Sequence, residues 1–433
     1  MKRKYIRYSK GWLYVLFHSG MELMLHVFFK KIMYHNRGGV PGAKPVILAA
    51  NHPTAFVDPL MLCLFLDPPL YNMTRGDIFK KTFFRKLLEQ FNMFPVFRVR
   101  DGYSQRGRND EVFEFCIERL KTNHTVTIYV EGEHHLSKEL KPIQKGIARI
   151  AFGAYERYKQ EDLQIIPAAC NYWKGDSPRD TAYINIGTPI YVRDYWADYQ
   201  ENPGQAVLKL CTDIEKALLP YTYHIEDQSF VTTAERLLTL LRNRKPFSLW
   251  PSVTYKNTRF FEEKALLDAF NQLETTQKES LEQQSREYFE ALDKAGLQDE
   301  ALMRPAAAAF SQKAALLLTA LPALFGYLTV WPLYKFAQRF TANKIKKPEF
   351  KTSVYIGVAG LLGHLYLLIF LLAAFFVGNP YAIAAAILLP LFWWFAFIWR
   401  DWWRISRAAS KALHHPQLAE LLAQRTSIHL PSL

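Results

Sequence analysis

From Val354 to Trp399 the chain carries a single ionisable residue, His364. A stretch this apolar cannot be a water-facing element, and it is too long for one buried helix. Gly378-Asn379-Pro380 divides it into two segments of about 20 residues, each long enough for the hydrocarbon core of a bilayer and joined by a tight turn. Trp393, Trp394, Trp399, Trp402 and Trp403 gather at one end, where an interfacial belt belongs. The pattern predicts a membrane-embedded helical hairpin, and hence an integral membrane protein. Ala314–Tyr334 is a further apolar stretch, interrupted by Pro322 and Pro332. The loop Lys335–Lys351 holds six Lys/Arg against the single Glu349, and Arg400, Arg404 and Arg407 follow the hairpin. Short loops this basic stay on the cytoplasmic side. For the preceding part of the chain to share that side, Ala314–Tyr334 has to enter and leave by one face, or lie along it, bent at its prolines.

Composition narrows the partners. Half of the 433 residues are hydrophobic, enough for a full core and more than one domain. The formal net charge of +14 calls for an anionic partner. The basic residues adjoin apolar segments: Lys2, Arg3, Lys4, Arg7 and Lys10 precede one, and Lys344, Lys346, Lys347 and Lys351 separate two others. That placement suits anionic lipid headgroups and a lipid bilayer rather than nucleic acid. No zinc-finger spacing or aromatic-basic module is present. Cys63, Cys116, Cys170 and Cys211 are far apart without a CxxC pair, as expected of reduced thiols in a cytosolic compartment. Gly11–Met33 reads as an uncleaved interfacial helix, because its hydrophobicity runs on past any cleavage site.

Between these ends the pattern is α/β. Short apolar runs at Val46–Ala50, Leu70–Thr74, Phe94–Arg98, Val126–Val130, Ile165–Ala169 and Ala182–Ile186 alternate with helical stretches such as Asp110–Lys121 and Lys145–Lys159. Alternation of this kind predicts a mainly parallel central sheet flanked by helices. The divisions expected are 1–40, a basic segment and interfacial amphipathic helix; 41–225, the α/β domain; 226–312, a soluble helical insert or linker; and 313–433, the membrane region and its basic tail.

The chemistry concentrates at Ala50-Asn51-His52-Pro53-Thr54-Ala55-Phe56-Val57-Asp58-Pro59, at the end of an apolar strand. A turn started by Pro53 can bring His52 and Asp58 together. A neutral imidazole can take a proton from an attacking hydroxyl, and a neighbouring carboxylate fixes its tautomer and stabilises the imidazolium that forms. By itself such a pair also serves as a structural turn.

The surrounding sequence resembles the glycerolipid acyltransferase family, the glycerol-phosphate and lysophosphatidate acyltransferases, whose NHxxxxD motif it carries. Three further blocks follow in family order over roughly residues 40–200: Asn92-Met93-Phe94-Pro95-Val96-Phe97-Arg98, Tyr129-Val130-Glu131-Gly132, and Ile165-Ile166-Pro167-Ala168. The resemblance implies that His52 is the general base for an acceptor hydroxyl attacking a fatty-acyl thioester and that Asp58 orients it. Arg98 would contact an acceptor phosphate, and Glu131 and Gly132 would shape the loop that closes the acceptor site. The donor is then acyl-CoA or acyl carrier protein, the acceptor a glycerol-phosphate or lysolipid, and no cofactor or metal is implied. Attack would be direct, since no GxSxG motif is present. The active site would face the cytoplasm.

One departure bears on the acceptor. The third block in the family commonly continues with Thr-Arg; here it continues Glu133-His134-His135. Losing a cation and gaining a carboxylate leaves open a non-phosphate lipid hydroxyl, such as that of an acylated amino-acid lipid. A membrane scaffold without catalysis is the third reading, though a scaffold has no need of both His52 and Asp58. The neighbouring His134 and His135 lack the HExxH spacing of a metal site.

Overall fold

The computed structural model describes residues 12–75, 85, 88–89, 91–96, 106–246, 248 and 250–431. Among these residues nine strands form one sheet: β1 (Lys31–His35), β2 (Val46–Ala50), β3 (Leu70–Arg75), β4 (Met93–Val96), β5 (Thr125–Tyr129), β6 (Gln164–Tyr172), β7 (Thr181–Ile186), β8 (Ile190–Tyr191) and β9 (Val253–Thr254). Their order is β4-β3-β5-β2-β6-β7-β1-β9, with β8 on β6. The block from β4 to β6 is parallel throughout. Along the main path the sheet reverses at the antiparallel β6–β7 pair, after which β7, β1 and β9 run parallel to one another; the short β8 is also antiparallel to β6.

β2 is Val-Ile-Leu-Ala-Ala and buried at every position, because a central parallel strand is covered on both faces. Its side chains alternate between two cores. Val46, Leu48 and Ala50 face a layer that includes Leu25 and Phe28 of the helix Trp12–Phe28, Met61 of the helix Val57–Phe65, and Tyr355, Ile356 and Ala359 of the apolar C-terminal region. Ile47 and Ala49 face the helices Arg106–Lys121, Gly146–Tyr158 and Pro203–Leu218. One face of the sheet is thus seated on the apolar helices, and the other is covered by amphipathic ones.

The N-terminal segment differs from the helix expected over Gly11–Met33. The helix ends at Phe28 and Lys31–His35 becomes β1, paired with β7. The stop is imposed by a distant arginine. Arg179 donates from its backbone N to Phe28 O (2.7 Å) and from Nη1 to Val27 O and Phe29 O (2.9 and 3.2 Å), taking up carbonyls that a helix end leaves open. No local sequence signal announces this cap.

The region 226–312 is more than a linker. Its helices, Val231–Arg244, Thr258–Asn271 and Thr275–Ala295, bury Leu238, Phe260, Phe270 and Tyr288 in a third core shared with Met33 of β1, Tyr183 of β7, and Leu421 and Ile428 near the C-terminus. Buried ions lock this layer: Arg242 Nη2 lies 2.9 Å from Glu263 Oε2, and Arg425 Nε lies 2.7 Å from Asp299 Oδ1.

Two helices, Pro348–Val377 and Pro380–Leu413, are long and apolar enough to cross a membrane, with mean hydropathies of 2.3 and 2.1 over their best windows. Gly378, at φ +68°, makes the turn between them. Phe310–Leu318 and Ala320–Lys344 form a further apolar pair, bent by 58°. The bend lies at Thr319, one turn before Pro322, whose ring excludes the Leu318 carbonyl from a continuous helix. The helix continues through Pro332, so that proline does not end it.

The bent pair and the hairpin's second helix approach closely. A Cβ at Gly326 would lie 2.1 Å from the Phe392 carbonyl oxygen. Gly326→Val should therefore destabilise the protein by about 1–3 kcal/mol, read as a lower Tm in detergent. Gly357→Ala, where a Cβ meets nothing within 4 Å, should leave Tm unchanged or slightly raised.

Candidate active site

The site forms where β2, β5 and β6 end on the same edge of their parallel block, the edge at which α/β sheets usually bind ligands. After Ala50 the ladder is continued by a side chain: Asn51 Oδ1 accepts from Cys170 N (2.7 Å) and Asn51 Nδ2 donates to Cys170 O (3.0 Å). With Asn51 so engaged, the chain turns and His52 leaves the sheet edge. The helix Val57–Phe65 then brings Asp58 back in its first turn, where a carboxylate is favoured by the helix dipole.

His52 Nδ1 lies 2.9 Å from Asp58 Oδ2. Asp58 is fully buried, and its remaining hydrogen bonds come from Thr54 N to Oδ2 (2.8 Å), Thr54 Oγ1 to Oδ1 (2.7 Å) and Tyr172 OH to Oδ1 (2.7 Å). Every contact donates a proton, which is what an ionised carboxylate accepts. Burial, then the Asp58 charge, push the Tyr172 phenol well above its ordinary range, so it remains a donor. His52 Nδ1 thus faces the carboxylate as a hydrogen-bond donor, and Nε2 is the ring nitrogen directed away from it. Its ring lies flat against Tyr129, with centroids 3.9 Å apart, and meets His134 edge-on at 5.6 Å.

Glu131 holds the neighbouring loop. Its Oε2 accepts from His52 N (2.9 Å), and its Oε1 accepts from Lys141 N (2.9 Å) and lies 3.1 Å from His135 Nε2. Gly132 follows at φ +72°, a conformation costly to other residues, and a Cβ there would lie 3.2 Å from Gln144 Cγ. Both residues belong to the loop beside His52. Arg98, by contrast, lies outside the described residues, as does Gly11, at the start of the expected N-terminal helix.

Sequence reasoning missed Thr54, Tyr172 and Tyr129. Thr54, four residues before Asp58, was open to recognition as a local partner; Tyr172 and Tyr129 reach the site only through the parallel register of β6 and β5 on β2. Among the described residues no group of three or more His, Cys, Asp or Glu is placed to hold a metal ion. A mainly apolar recess of about 90 Å³ lies elsewhere, between the N-terminal helix and the membrane-type helices, lined by Met24, Val27, Leu333, Leu367 and Trp393 among others and including neither His52 nor Asp58.

A family profile described as Acyltransferase matches residues 31–171, beginning at β1 and ending within β6. That segment is similar to an acyltransferase domain. The chain is similar to two proteins of Saccharomyces cerevisiae: glycerol-3-phosphate O-acyltransferase 2, at 26% identity over 207 residues, and glycerol-3-phosphate O-acyltransferase 1, at 27% over 154. The alignments cover 47% and 34% of this chain but 27% and 20% of those proteins, so the chain spans about a quarter of their length. Among solved structures, the 1-acyl-sn-glycerophosphate acyltransferase PlsC of Thermotoga maritima is 16% identical, with 47% of this chain and 80% of that one covered at a TM-score of 0.35.

The thiols bear on mechanism. Burial raises Cys63 and Cys116 to about 12 and also raises Cys211. Cys170, behind Asn51, is pushed well up by burial and then by the Asp58 charge. A thiol at about 12 is ~10⁻⁴ ionised at pH 8, and only the thiolate is nucleophilic. N-ethylmaleimide at pH 7–8 should therefore leave turnover of the folded protein intact; rapid inactivation would indicate a reactive cysteine at the site.

Proposed function

We propose that the site transfers a fatty acyl group from an acyl thioester to a hydroxyl of glycerol-3-phosphate or 1-acylglycerol-3-phosphate, as a step of phospholipid synthesis. The observation that carries this is the His52 imidazole, with Nδ1 held by the buried Asp58 and Nε2 directed away from it. The acceptor hydroxyl gives its proton to Nε2 as its oxygen attacks the thioester carbonyl. The imidazolium, stabilised by Asp58, returns that proton to the leaving thiolate. One ester forms, one thioester breaks, and free thiol departs as that of CoA or acyl carrier protein. No acyl-enzyme is needed, in keeping with the raised thiols.

The phosphate of the acceptor is assigned to Arg98, whose guanidinium fork suits it. The second reading, a non-phosphate lipid hydroxyl, draws on His134. It stands beside His52 where the family commonly has arginine, so the described part of the site has lost one fixed cation. A scaffold without catalysis is disfavoured, because four donors, His52 Nδ1 among them, hold the Asp58 carboxylate and so fix the orientation of the imidazole.

The hairpin is read as crossing the bilayer, with the active site on the cytoplasmic face. The sheet touches the first hairpin helix near its start, at Tyr355, Ile356 and Ala359, far from the Gly378 turn. The domain, the basic segment Lys335–Lys351 (whose residues 335–344 continue the helix Ala320–Lys344 rather than forming a loop) and the basic tail then share one side, and the bent pair is re-entrant or interfacial.

His52→Ala should lower turnover by at least ~10²–10⁴ while Tm is kept; near-normal turnover would overturn the mechanism. On a panel of acceptors with one labelled donor, Arg98→Ala should raise KM for phosphorylated acceptors far more than for the acyl donor. Equal effects on both would favour the non-phosphate acceptor. For topology, single cysteines in the basic segment, at the Gly378 turn and in the tail, on a background without native cysteines, should react with an impermeant thiol reagent in intact cells only at the turn. Labelling of the basic segment from outside would make the bent pair a true span.

A further inference from the structure

The helix Val57–Phe65, which carries Asp58, has no side-chain cap of its own: its N-cap is Phe56. The backbone N–H groups at a helix entry need acceptors, and here those of the N-cap Phe56 and of Ala55 just before it find them on the hairpin. Phe56 N donates to Ser353 Oγ at 2.9 Å, and Ala55 N donates to Glu349 O at 3.3 Å. Thr352 Oγ1, one residue before Ser353, donates to Gly175 O at 2.7 Å, anchoring the same turn to the loop between β6 and β7. Thr352 and Ser353 are both buried, though they open a helix whose later turns are exposed and apolar. Phe350 packs edge-on against His134 at 4.6 Å, and His134 packs against His52.

We propose that the first turn of the helix Pro348–Val377 is a working part of the acyl-transfer site. Ser353 and the Glu349 carbonyl are positioning groups for the loop that joins His52 to Asp58, and Phe350 with His134 forms the wall beside the His52 ring. The motif loop is then gripped from two sides. Asp58 holds Thr54 from within, and the hairpin holds Ala55 and Phe56 from without. Without the outer grip the helix start is free to shift, and the Asp58 carboxylate shifts with it. A misplacement of about 1 Å can cost roughly 10²-fold in rate. Seating of the hairpin and alignment of the base are thereby one event. This inference rests on the acyl-transfer reading above.

The test uses the full chain, purified in detergent, with an acyl-CoA donor and the best acceptor found on the panel. Ser353→Ala should lower kcat by about 10–100-fold with both KM values and Tm nearly unchanged, and Ser353→Thr, which restores the hydroxyl, should recover most of the rate. Phe350→Ala should raise the fraction of thioester lost to hydrolysis relative to transfer, because the wall that excludes water is opened. Full kcat in Ser353→Ala would overturn the positioning role, as would an equal loss in Ser353→Thr. An unchanged hydrolysis fraction would overturn the wall. His52→Ala measured alongside separates the two levels: if it too is active, the acyl-transfer reading itself has failed.

Discussion

A carboxylate taken wholly out of water is costly unless its lone pairs are filled, and Asp58 sets that requirement for this site. Four donors meet it: the imidazole of His52, the amide and hydroxyl of Thr54, and the phenol of Tyr172. Each comes from a different constraint. Thr54 is local to the turn. His52 is delivered by β2 once Asn51 has bonded Cys170 in place of a further strand residue. Tyr172 arrives on β6, held by the parallel register of Val46 to Ala50 against Gln164 to Ala168. Burial of one charge thus links a helix terminus, two strands and a turn. The same saturation turns the lone pairs of Asp58 to His52, Thr54 and Tyr172 rather than to open space.

A second buried charge joins the sheet to the hairpin. Arg179, at the end of the β6–β7 connection, caps the N-terminal helix and pairs through Nε with Asp401 Oδ2 at 2.8 Å, midway along the helix Pro380–Leu413. Removing either partner would leave the other buried and unpaired, a state that typically costs about 3–5 kcal/mol. The apolar helices are therefore not an appended anchor. They form the floor of one sheet face and take part in ending the first helix.

Much of this was legible in the sequence because it rests on local periodicity. The runs Val46–Ala50 and Ala182–Ile186 became β2 and β7 nearly residue for residue, since a continuous apolar run of that length suits a strand covered on both faces. The hairpin and its turn at Gly378 followed from hydropathy alone. The spacing of His52 and Asp58 proved sufficient for contact. What was not legible depends on partners distant in the chain. β1 was hidden in a hydrophobic stretch that reads as helix until Arg179 is known to stop it. β9, two residues long, has no pattern of its own and exists only as an edge for β1. The bend of the penultimate apolar segment fell a turn before its proline, because the clash of a proline ring is felt four residues back. Tyr172, four residues past the last family block quoted, could not be tied to Asp58 without knowing the register.

The contact between Phe56 and Ser353 spans 297 positions of sequence. A chain made at about 5–20 residues per second leaves roughly 15–60 s between the appearance of the two. During that interval the segment bearing His52 and Asp58 is already outside the ribosome, yet the turn that steadies it has not been made. The order of synthesis therefore separates emergence of the reactive groups from their final alignment. A newly made molecule can acquire that alignment only after the helix Pro348–Val377 has been made and has docked on the sheet.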